Sequence, residues 1–126
     1  MINGFDIETA PLSDSEKEAV PSVVTFLMKA NGSSRAVLNQ QIVRAFPELR
    51  LSSARVRKII NHIRQNNLVP CLIASSKGYY VAESERELLD YEDSLRGREL
   101  AIRGVRESIE KQRKARYCGL VQGRLF

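Results

Sequence analysis

Between Ser53 and Gln65 the chain gathers cations, amides and hydroxyls, and it places no carboxylate among them. Ser53, Arg55, Arg57, Lys58, Asn61 and Gln65 can each donate hydrogen bonds to an anion or to the edge of a planar base. Arg and Lys match the O6 and N7 acceptors of guanine, whereas Asn and Gln pair bidentately with adenine. The chemistry on offer is recognition rather than bond breaking. Downstream, Lys77 is the only charge in the polar run Ser75-Ser76-Lys77-Gly78.

Catalysis lacks its parts. His62 is the only imidazole, and the chain has no GxSxG and no Gly-rich phosphate loop. The acids Glu83, Glu85, Glu87, Asp90, Glu92 and Asp93 read as the solvated start of a helix, not as metal ligands. No enzyme activity, catalytic residue, metal site, cofactor or small-molecule ligand is expected. Cys71 and Cys118 stand far apart without a CxxC spacing, which points to reduced structural thiols in place of a zinc site or disulfide.

The donor-rich run must sit on a helix to act as one surface. With Val56 at 0° and about 100° per residue, Ile59, Ile60 and Ile63 fall within about 60° of it and form a core stripe. Ala54, Lys58, Asn61 and Gln65 lie on the opposite side. Arg57 and Arg64 flank one edge, Arg55 and His62 the other. A merely solvated helix would mix charge signs to gain i,i+4 pairs, and this one does not.

The periodicity around it predicts three helices and a hairpin. Ser13 and Glu16 have capping-box spacing, and Val20, Val23, Val24, Leu27 and Met28 follow at helical intervals. Pro21 interrupts that run, so the first helix either kinks or starts there, and Asn31-Gly32-Ser33 ends it with Gly32 as a left-handed stop. Val37, Leu38, Gln41, Ile42, Ala45 and Phe46 form the stripe of a second, shorter helix closed by Pro47. After the donor-bearing third helix, Cys71–Ala74 and Tyr79–Ala82 read as strands around a turn that needs a positive φ at Gly78. One tyrosine of Tyr79 and Tyr80 is expected inside and one outside. Ser84 to about Arg116 reads as one long helix.

Charge follows the same division. Met1–Ser33 holds five acids and two bases, and Ser34–Ala82 holds eight bases against Glu48 alone. Glu83–Leu95 carries six acids against Arg86, and Arg96–Phe126 nine bases against three acids. A basic block inside a chain of net charge +5 is the electrostatic footprint of a phosphate-binding surface.

The stretch Leu51–Ala82, LSSARVRKIINHIRQNNLVPCLIASSKGYYVA, resembles winged helix-turn-helix domains of the biotin-repressor type and similar domains of small bacteriophage-encoded proteins. The resemblance rests on a Ser-rich helix start, the run R-K-I-I-N-x-I-R and a wing ending S-x-G-Y-Y-x-A. It implies a mainly α (α+β) fold in which the third helix enters the major groove and the wing, residues 71–82, touches the minor groove or a phosphate. Ser53, Arg57, Lys58 and Asn61 are then expected at bases or phosphates, with Arg55 at the groove edge, Gln65 further along and Lys77 on the backbone.

From Leu88 the long helix falls into heptads, with Leu88, Leu95, Ile102 and Ile109 at one seam position and Tyr91, Arg98, Val105 and Gln112 at the other. This stripe either pairs two chains or folds back over the first helix, and a homodimer is the preferred expectation. The expected organisation is thus a flexible arm (1–12), a winged helix-turn-helix domain (13–82), a long helix (83–117) and a flexible tail (118–126). No secretory signal and no membrane-spanning run is present, which points to the cytoplasm. Double-stranded DNA binding is the expected function, in transcription regulation, in phage or plasmid replication, or in packaging. The alternative is a protein-interaction module that uses the same face.

Overall fold

The computed structural model describes residues 10–124, with side chains to residue 117. Among the described residues it is mainly helical, with α1 (Asp14–Met28), α2 (Asn39–Ala45), α3 (Ser53–Gln65) and α4 (Glu85–Arg124), and an antiparallel hairpin of β1 (Leu72–Ser75) and β2 (Gly78–Val81). The chain divides into two compact units, Met1–Leu88 and Leu89–Phe126. No described helix is long and apolar enough to cross a membrane.

The N-terminus of α1 is held as its spacing predicts. Ser13 Oγ accepts from the Glu16 backbone N–H at 3.3 Å, and Glu16 Oε1 accepts from the Ser13 N–H at 2.8 Å. Pro21 neither starts nor ends this helix. It lies on an exposed side of α1, where the carbonyl it leaves without a donor can turn to water, while Ala19, Val23 and Leu27 bury the other side. The helix stops at Met28, earlier than Gly32. The positive φ of Gly32 (84°) serves the next turn instead, where its N–H donates to the carbonyl of Val81 at 2.9 Å.

Val37 and Leu38 are not helical. Val37 exchanges two backbone hydrogen bonds with Tyr79, at 2.9 and 2.8 Å, and adds a one-residue third strand to the hairpin. Leu38 is the N-cap of α2, with Gln41 Oε1 accepting from its N–H at 2.7 Å. A single bridging residue has no periodicity to betray it, so its apolar side chain reads locally as part of the helix stripe.

The hairpin lies within one residue of its expected place. Its register pairs Leu72 with Val81 and Ser75 with Gly78, leaving Ser76 and Lys77 as the tip. Gly78 has φ 120°, and a Cβ there would collide with the Val37 carbonyl. Both tyrosines are half-buried, and Tyr79 is the one that packs on the core, its hydroxyl donating to Asn39 Oδ1 at 2.7 Å.

The core of the first unit is Val23 and Leu27 of α1, Ile42 of α2, and Val56, Ile59, Ile60 and Ile63 of α3, all with at most 2% exposure. Leu12, in the expected arm, packs against this cluster, and residues 1–9 lie outside the described region. The last helix runs through Gly119 to Arg124, eight residues beyond Arg116. Helical hydrogen bonds are local and no proline follows Arg116, so the helix continues through Gly119 and Gly123. Cys71 is an exposed free thiol with φ 62°, and the side chain of Cys118 lies outside the described residues.

Candidate nucleic-acid interface

The third helix forms where its apolar spacing places it. Ser52 Oγ caps it by accepting from the Arg55 N–H at 3.2 Å. Asn66 closes it, its side-chain amide donating to the His62 carbonyl at 2.8 Å. The buried stripe Val56, Ile59, Ile60 and Ile63 orients the rest of the circumference.

Two edges of α3 are then occupied differently. On the edge toward α1, Glu16 receives two cations: Lys58 Nζ lies 2.7 Å from Oε1 and Arg55 Nε 3.1 Å from Oε2. Arg55 also donates to Ser15 Oγ at 2.7 Å and to the Arg50 carbonyl at 3.2 Å. Glu16 is 3% exposed, so burial by itself pushes its pKa up. The opposing contacts of Lys58, the Ser13 N–H and Arg55 prevail and hold it at about 2 against an ordinary 4.5. Arg55 and Lys58 thus share one carboxylate within the fold, and the cluster keeps a net charge of +1.

On the edge toward α2, Gln40 Nε2 donates to Ser53 Oγ at 3.1 Å. Since the neighbouring Asn39 accepts from Tyr79, the start of α2 ties the beginning of α3 to the hairpin. Arg57 and Arg64 flank this edge and are half-buried. Between the two edges, Asn61 is half-buried and Gln65 exposed, and with Lys58 and His62 they line a hollow of about 160 Å³ against Ala10–Leu12.

Lys77 is exposed at the hairpin tip, where its N–H donates to Ser75 Oγ at 3.1 Å. Arg35, in the turn that follows Gly32, and Arg44, in the last turn of α2, are also exposed. The sequence counts both in its basic block, yet with no periodicity of their own they cannot be set on a face without the fold. Glu16 is the residue that sequence reasoning leaves with too small a role. Capping-box spacing accounts for it fully, and its partners lie 39 or more residues away.

Comparison of the chain with protein-family models, with curated proteins and with solved structures finds no match.

Proposed function

We propose that residues 13–82 form a winged helix-turn-helix domain that binds duplex DNA, with α3 in the major groove and the hairpin as its wing. The observation that carries this reading is the order helix, bridge, helix, helix, hairpin, closed by the Val37–Tyr79 backbone pair, with an α3 that bears no acid. Ser53, Arg57, Asn61 and Gln65 are the base-reading set in this proposal. Lys77, Arg35 and Arg44 supply phosphate contacts, and Arg55 and Lys58 set the angle of α3 against α1 through Glu16. Transcription regulation and phage or plasmid replication are the processes this activity would serve.

Mobility shift with a random duplex library at several salt concentrations tests the proposal. With these three phosphate contacts, affinity should fall about fortyfold between roughly 50 and 200 mM salt. No retained duplex at either concentration overturns it.

One observation favours a second reading, docking of a protein. An open groove of about 430 Å³ is lined by Pro21, Thr25, Phe26 and Phe46, with the two rings edge to face at 5.6 Å. Phe26→Ser would abolish partner capture under that reading and leave duplex binding intact under the first.

A further inference from the structure

Within α4, Leu95, Ile102, Val105 and Ile109 fall at the seam positions of successive heptads, and all are exposed, Ile102 and Val105 by 66% and 64%. The polar seam residues turn their heads aside. Arg98 donates to Ser94 at 3.3 Å and Gln112 to Ser108 at 3.2 Å, both four residues back on the same helix.

The positions flanking the seam are unlike one another. One flank reads Ser94, Ala101, Ser108 and Ala115, small side chains that let a second helix approach closely. The other reads Glu92, Glu99, Arg106 and Arg113, acidic and then basic. In a parallel pair each flank faces the opposite flank of its neighbour, so these charges would meet Ser and Ala, and Arg98 would stack on Arg98. In an antiparallel pair each flank faces its own kind with the order reversed. Placing Ile102 against Val105 of a second copy brings Glu99 opposite Arg106 and Glu92 opposite Arg113, and symmetry repeats both pairs.

We propose that this face of α4 binds the same face of a second copy of the chain, antiparallel, about a two-fold axis between Ile102 and Val105. The overlap runs from Tyr91 to Arg116, about 39 Å at about 1.5 Å per residue. Within one chain Glu99 pairs with Arg103 at 3.6 Å and Arg106 with Glu110 at 3.9 Å, long contacts between exposed groups that exchange at little cost for contacts across the seam. The proposal goes beyond the DNA-binding reading and stands or falls without it.

Sedimentation equilibrium of the full chain, without DNA, tests it through charge reversal. The variant E92R/E99R makes the flank wholly basic, and R106E/R113E makes it wholly acidic. Each alone should dimerise at least roughly tenfold more weakly than the parent, and an equimolar mixture should regain parental affinity as a heterodimer. That regain also shows that neither variant has lost its helix. A parent chain that is monomeric at tens of micromolar overturns the proposal. So does a dimer indifferent to both reversals, the result a parallel seam or a different face would give.

Discussion

The ammonium of Lys58 lies 2.7 Å from Oε1 of Glu16, and this contact fastens the middle of α3 to the first turn of α1. Arg55 holds the other carboxylate oxygen at 3.1 Å. A side chain that caps its own helix thus also sets the angle of the next.

Stability should therefore depend on pH through Glu16. Its folded pKa, about 2, lies below the ordinary 4.5, so its full contribution is present above the ordinary value. As pH falls, the unfolded chain takes up the proton first, and the contribution is lost by about pH 2. At neutral pH it amounts to about 3 kcal/mol. Glu16→Gln should cost about 2 to 3 kcal/mol at pH 7 and progressively less toward pH 2, read by urea unfolding followed through tyrosine fluorescence. A cost that does not vary with pH would mean that the carboxylate acts by shape alone.

Alanine should have opposite effects at different glycines. Gly78→Ala meets both φ 120° and the Val37 carbonyl, and should destabilise by about 1 to 3 kcal/mol while exposing the Val37 and Tyr79 amides to hydrogen exchange. At Gly97 and Gly104 a Cβ has no atom within 4 Å, and alanine there should strengthen α4 by about 1 kcal/mol each. Thermal melts of the three variants would show the difference in sign.

The proposed interface predicts three classes of variant. Arg57→Ala and Asn61→Ala should change which duplex is preferred, by about 1 to 3 kcal/mol at the base each reads. Lys77→Ala should weaken all duplexes alike and reduce the salt slope by about 1. Lys58→Ala should lower the melting temperature before it changes sequence preference, because it leaves buried Glu16 with one cation fewer. Uniform losses across all four would show that α3 does not read bases.

Short-range patterns carried most of the fold and some of the interface. Ser13 and Glu16 lie three residues apart, the Val56, Ile59, Ile60 and Ile63 stripe repeats within a few turns, and Gly78 sits within its own turn, so each is legible in a short window of sequence. The acid-free surface of α3 is legible for the same reason. Val37 misled, because its partner Tyr79 is distant in the chain and one bridging residue leaves no alternation.

By itself the sequence determined the order of the helices and the hairpin, which side of α3 is apolar, and that its other side carries no carboxylate. These follow from hydrogen bonds and side-chain spacing within a few residues of each other. The tertiary structure alone decided which donors are committed to the fold. Nothing in the sequence around Arg55 and Lys58 marks them as partners of Glu16 until α1 brings it against them, since the energy of a buried ion pair depends on distance and dielectric, and neither is written along the chain.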